Sequence, residues 1–200
     1  MMLRRLLRRF STTKPPQTPP RSSAWAAYSR LLARYPLLTK TLSSGAIAGI
    51  GDVVSQLGIE DAETFDVRRL VIFTAVGGVY IAPLLHVSYG LLNRMFVGVS
   101  TKVVLQRVAV DQFVLTPTFF VSYFALMQTL AADDVTIEEK LRQEWWPTVQ
   151  TNWVVWVPAM WINFRYIALP YQVLFSNVVS LFWNAYMSFV SHRAIKASTN

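Results

Sequence analysis

Few side chains in this sequence can do chemistry, and most of those lie inside apolar runs. Asp52 shares a helical face with Gly45, Gly49 and Gln56, because separations of 4, 3 and 4 residues follow the 3.6-residue repeat. Ala82, His86, Tyr89 and Asn93 repeat that spacing. Arg107, Asp111, Thr118 and Ser122 form a third stripe, with Arg107 and Asp111 at the i, i+4 separation that suits an ion pair. Asn177, Ser180, Asn184, Ser188 and Ser191 form a fourth. A carboxylate at the centre of a membrane helix costs about 2.5–3.5 kcal/mol on insertion scales, so Asp52 and Asp111 should face protein or water, where they attract cations. His86 is either a satisfied core histidine or a group that changes charge near neutral pH. Gly45-x-x-x-Gly49 lets a second helix approach closely, so those glycines read as packing.

Other chemistries lack their residues. There is no cysteine, which removes disulfides, thiol redox control and cysteine-ligated metals. With only His86 and His192, a zinc site of ordinary composition is not expected. No serine-centred nucleophile motif, Gly-rich phosphate loop, His-Glu metal motif or dinucleotide fingerprint occurs. An intramembrane enzyme using His86 with Asp111 is the weakest reading. The expectation is no enzyme, no cofactor and no metal.

The elements that must carry these stripes are long and apolar. Of 200 residues, 53% are hydrophobic and 15% charged, and the mean hydropathy is +0.34; a soluble domain carries about a quarter charged residues. Residues 70–93, 113–132, 145–164 and 170–191 contain no Asp, Glu, Lys or Arg, and 41–59 contains only Asp52. Each is close to the ~20 residues that a helix needs to cross a bilayer. The segments between them alternate in net charge, beginning with +9 through Lys40, which suits four crossings with both termini on the basic side. The surplus run is 145–164, which holds five of the seven tryptophans together with Pro147, Pro158, Gln150, Asn152 and Asn163. Its reading is a kinked or interfacial segment with Pro158 as a kink or gate and tryptophans at headgroup level; a kinked helix packed inside the bundle is the alternative. The expected fold is thus all-α, a polytopic membrane helical bundle of about four transmembrane helices plus this Trp-rich segment.

The net charge of +8 is an N-terminal feature: nine of the nineteen basic residues precede Asp52, the first acid. Direct nucleic-acid binding is therefore not expected. Leu3, Leu6, Leu7 and Phe10 share one helical face and Arg4, Arg5, Arg8 and Arg9 the other, followed by Ser, Thr and a Pro-rich stretch. That pattern fits a mitochondrial presequence; a basic arm on anionic lipid is the alternative. The division is residues 1–24 as targeting arm and linker, and 25–200 as the membrane helical domain.

Several short elements carry a resemblance. They are Trp25, Tyr28 and Tyr35-Pro36; Gly51-Asp52 and Gln56; Pro83, His86 and Tyr89; Asp111-Gln112 and Pro117; and, best of all, Trp145, Pro147, Asn152-Trp153, Trp156, Pro158, Ile162-Asn163-Phe164, Trp183-Asn184 and Tyr186. In this order the chain resembles the Mpv-seventeen family, also called the twenty-two-kilodalton peroxisomal membrane protein family, from about Trp25 to Ser191. It departs from the family pattern at Ala82, Ser88, Met160, Ala168-Leu169 and Gln172.

The resemblance implies a small integral protein with about four membrane helices in the inner mitochondrial membrane, or alternatively the peroxisomal membrane. It implies a channel-like protein that passes small solutes or ions, supporting metabolite homeostasis and, indirectly, mitochondrial DNA maintenance. On that reading Asp52, Gln56, His86, Asp111, Gln112, Asn163 and Asn184 line or gate the path. Partners would be the lipid bilayer, the solutes and further copies of the chain, since four short helices leave little room for a wide pore. The competing reading is a non-conducting scaffold that organises inner-membrane complexes.

Overall fold

The computed structural model describes residues 23–58, 64–131 and 137–184. All its regular elements are helices, and no strand occurs among the described residues. The proposed presequence helix, Ser188 and Ser191 lie outside them.

Helix α1 (Ala24–Arg34) starts at Ser23, whose hydroxyl accepts from the Ala26 N–H at 3.1 Å. It stops at Tyr35 because the residue before a proline disfavours helical geometry. Pro36 then opens α2 (Pro36–Gly58). Asp66 caps α3 (Val67–Met95) through the Arg69 N–H at 2.9 Å, and Ser100 caps α4 (Thr101–Leu130). Helix α5 (Trp146–Tyr166) follows a short lead-in over Ile137–Lys140, and a 3-10 turn (Leu169–Tyr171) leads into α6, residues 172–184. Helices α3 and α4, of 29 and 30 residues, are each long and apolar enough to cross a bilayer.

Burial is inverted relative to a water-soluble protein. Asp52, Gln56, Arg107, Asp111, Gln112 and Asn163 are buried, while Val154 is 77% exposed, Val79 74% and Phe182 69%. In water that arrangement would be costly twice over. In hydrocarbon it is the stable one, because apolar side chains meet lipid and polar ones find partners inside. The chain forms the expected all-α membrane bundle. Its tightest apolar cluster, Tyr89, Leu92, Val104, Val108, Phe164 and Val173, joins α3, α4, α5 and α6.

Two kinds of residue set the helix contacts. At the α2–α3 crossing Gly45 and Gly49 lie against Thr74, with Gly45 also on Gly78. A Cβ on Gly78 would stand 2.9 Å from the Thr41 carbonyl oxygen. Prolines act differently. Three π-helical turns, Val76–Ile81, Asp111–Leu115 and Leu141–Trp145, each end two residues before a proline: Pro83, Pro117 and Pro147. A proline inside a helix lacks an N–H and its ring crowds the carbonyl four residues back. Widening the preceding turn relieves the clash, and Thr116 N–H then reaches back five residues to the Asp111 carbonyl.

Pro158 behaves otherwise. The sequence predicts a kinked or interfacial segment at 145–164 or a kinked helix packed inside the bundle; α5 runs as one α-helix through Pro158, with no π turn before that proline. Its face with Val149, Asn152, Met160, Asn163 and Phe164 is buried in the bundle, as in the alternative reading. The proline removes only one ladder bond, to Val154, and packing on both sides holds the helix together.

The glycine contacts make a paired prediction. Gly78→Ala should destabilise the detergent-solubilised protein by about 1–3 kcal/mol, because backbone must move to admit the methyl. Gly90→Ala, with nothing within 4 Å of the added Cβ, should be neutral or stabilising by up to about 1 kcal/mol. Denaturant unfolding followed by tryptophan fluorescence checks both; equal effects would refute the close-contact account.

Candidate functional site

The helices enclose a cavity of about 550 Å³ that draws its wall from α2 to α6. Its polar lining includes Ser44 from α2, Ser88 from α3, Asp111 and Gln112 from α4, Asn152 from α5 and Asn177 from α6. Each reaches the cavity for a local reason. Asp111 and Gln112 begin the π turn that Pro117 imposes, so they stand where α4 is widened. Thr116 N–H takes the Asp111 carbonyl, and Pro117 has no N–H for the carbonyl of Gln112. The Trp153 indole N–H donates to that carbonyl at 2.9 Å instead. Trp145, about two turns earlier at the end of the π turn before α5, donates likewise to the Pro117 carbonyl at 3.0 Å. The tryptophans thus bind α4 and α5 together and present Asn152 to Gln112.

The side chains form a chain of amides. Asn152 Nδ2 donates to Gln112 Oε1 at 3.1 Å, and Gln112 Nε2 donates to Asp111 Oδ2 at 2.7 Å. Across the cavity Asn177 Nδ2 donates to Ser44 Oγ at 2.5 Å, tying α6 to α2. Among the described residues Asp111 is the one charged residue in the cavity wall. The expected Arg107–Asp111 pair does not form. Arg107 instead donates to the Phe96 carbonyl, at 2.6 Å from its nearer nitrogen, and to the Gly98 carbonyl at 3.1 Å. Those carbonyls belong to the turn between α3 and α4, where Gly98 takes φ +107°, and such a turn needs donors more than Asp111 needs a cation. Arg165 donates to the Val99 carbonyl in the same turn.

Asp52 and Gln56 lie elsewhere, outside the cavity wall. Asp52 Oδ1 pairs with Arg69 Nε at 2.8 Å, and Gln56 Nε2 donates to Asp52 Oδ2 at 2.7 Å. Gln56 also spans to Asp66, accepting its N–H at 2.7 Å and donating to its carbonyl at 3.1 Å. This clasp closes α2 onto the start of α3. His86 is also outside the wall: its Nδ1 sits 2.9 Å from Nζ of the buried Lys40, a partner no spacing rule pointed to. Asn163 donates to the Gln172 carbonyl and to Ser176 Oγ, each at 3.2 Å, beside the Tyr89 hydroxyl on Ser176 at 2.9 Å. Of the sequence candidates, Asp111, Gln112 and Asn184 line the cavity together; Asp52, Gln56, His86, Asn163 and Pro158 do not.

A signal was nevertheless present in the sequence. Pro83, Pro117, Pro147 and Pro158 are each followed at the fifth position by Ser88, Ser122, Asn152 or Asn163, and at the sixth by Tyr89, Tyr123, Trp153 or Phe164. Three of the four polar residues, Ser88, Ser122 and Asn152, line the cavity. About one and a half turns beyond each proline stands a small polar group, buried at Asn152 and Asn163, partly buried at Ser88 and exposed at Ser122.

Comparison with known proteins finds relatives over most of the chain. Residues 129–188 match the model of the Mpv17 / PMP22 family. The chain is 32% identical to "Peroxisomal membrane protein 2" of Bos taurus, over 82% of this chain and 88% of that protein. It is 33% identical to "Protein sym-1" of Neurospora crassa, over 82% and 96%. It is 26% identical to "Mitochondrial inner membrane protein Mpv17" of Danio rerio, over 84% and 97%. No solved structure matches it.

The tryptophan clasp generates a double-mutant prediction. Trp153→Phe leaves the Gln112 carbonyl without its donor and should cost about 1–3 kcal/mol. In a Pro117→Ala background, where residue 117 regains an N–H, the same change should cost under about 1 kcal/mol. Additive losses in the unfolding cycle would show that the proline does not create the need for the indole.

Proposed function

The chain belongs to the Mpv17 / PMP22 family, and from that premise we propose that it is a channel-like protein of the inner mitochondrial membrane that passes small solutes or ions. The observation that carries this reading is the cavity between α2 and α6, into which an acid and several amides turn while apolar side chains face outward. The path would run along that cavity, with Asp111 favouring cations as acidic rings do in cation channels. The bundle would cross the membrane four times and act as a homo-oligomer without enzymatic activity or direct nucleic-acid binding. Its effect on mitochondrial DNA would be indirect, through metabolite supply. The printed name of the Danio rerio relative and the arginine-rich arm of this chain both support the mitochondrial address; the Bos taurus relative's name supports a peroxisomal one as the alternative.

The non-conducting scaffold has one observation in its favour. Asp52 pairs with Arg69 and accepts from Gln56, contacts that hold helices together. The two acids therefore separate the readings. In planar-bilayer recordings of the purified protein, Asp111→Asn should lose cation preference. Asp52→Asn should conduct like the wild type but unfold more easily, by about 1–3 kcal/mol, because it weakens a partly buried pair. Silent wild-type protein at every voltage would refute the channel and leave the scaffold.

A further inference from the structure

The cavity wall has a composition that selects among cations. Asp111 brings one negative charge, and among the described residues no lysine, arginine or histidine lines the wall with it. No lysine or arginine among the described residues pairs with Asp111; its bonded neighbour is the Gln112 amide, which is neutral. A buried carboxylate in low dielectric, lacking an internal counter-ion, is completed by a cation that comes from outside.

The rest of the wall decides which cation. A small inorganic ion stripped of water needs about six oxygens at close range. Here the polar groups are spread over five helices, and no cluster of three or more metal-ligating side chains occurs among the described residues. The wall is instead rich in aromatic rings, among them Phe119, Phe120, Tyr123, Trp156 and Trp183. Aromatic faces attract a cation whose charge is spread over alkyl groups and whose dehydration is cheap. Phe119 stacks on Tyr123 at 5.5 Å between centroids, so part of the wall is held in place. A volume of about 550 Å³ lies within the roughly 300–1,000 Å³ of sites for drug-sized molecules.

We propose that this cavity is a binding site for organic ammonium ions, with Asp111 as counter-ion, the rings of Tyr89 and Trp156 at its end of the wall as cage and Ser88 and Asn177 as partners for any N–H the ligand carries. The proposal deepens the channel reading by naming the solute class at the same site. The Asp52 clasp takes no part in it.

The test uses the full chain in detergent or nanodisc, with tetrapropylammonium as probe and an uncharged alcohol of matching size as comparator, followed by tryptophan fluorescence and calorimetry. The wild type should bind the ammonium at least about tenfold more tightly than the alcohol. Asp111→Asn should abolish that preference, Asp52→Asn should keep it, and Ser88→Phe, which fills the cavity without altering charge, should weaken both ligands. Equal binding of ammonium and alcohol by the wild type, or an unchanged preference in Asp111→Asn, overturns the proposal. Bilayer recordings with the same probe separate it from the channel reading. Binding without any current keeps the site and refutes the pore. Cation-selective current that the probe neither blocks nor joins, with no binding, keeps the pore and refutes the ammonium site.

Discussion

A backbone carbonyl inside hydrocarbon has no water to turn to, and this chain places prolines where they remove the donors that carbonyls need. The resulting arrangement of α4 and α5 follows from that constraint. Pro117 withholds an N–H, the turn before it widens, and the Gln112 carbonyl is left for the Trp153 indole. The Pro117 carbonyl takes Trp145 in the same way. Once both indoles are in place, α5 has no freedom to rotate against α4, and Asn152 lands on Gln112 and Gln112 on Asp111. The cavity wall is a by-product of backbone hydrogen bonding as much as of side-chain choice.

The two acids show how one residue type does two jobs in one bundle. Asp52 is placed beside a guanidinium and an amide, and its negative charge is spent on joining α2 to α3. Asp111 receives only an amide. The arginine nearest it in sequence is drawn off to the carbonyls of a tight turn, where Arg165 joins it. The difference lies in what the neighbouring loop requires, and a stripe on a helical wheel does not contain that information.

This marks what was legible in the sequence. The all-α class, the apolar helices and the inward placement of the polar residues followed from charge-free windows and periodicity. Wheel geometry failed where a turn was not α-helical: a π turn holds one residue more, so Arg107 and Ser122 are not in the register that 3.6 residues per turn predicts. The sequence singles out Pro158 as the kink, but the α-helix continues through it, while the π turns precede Pro83, Pro117 and Pro147. The return of Ser or Asn five residues after each of four prolines was there to be read, but its meaning depends on which prolines widen a turn. Lys40 beside His86 was out of reach, since 46 residues and a helix crossing separate them.

The widened turns also bear on how such a chain tolerates changes of length. An α-helix rotates about 100° per residue, so the extra residue of a π turn sets everything after it on a different side. Removing one residue between Asp111 and Leu115 would put α4 in α-helical register throughout and bring the Pro117 ring back against the carbonyl that the widened turn spares. Its downstream half, with Thr118, Ser122 and Tyr123, would face a new direction. A single-residue deletion at such a turn thus exchanges the side chains that the helix offers to the wall and, in the same step, restores the proline clash that the extra residue removes.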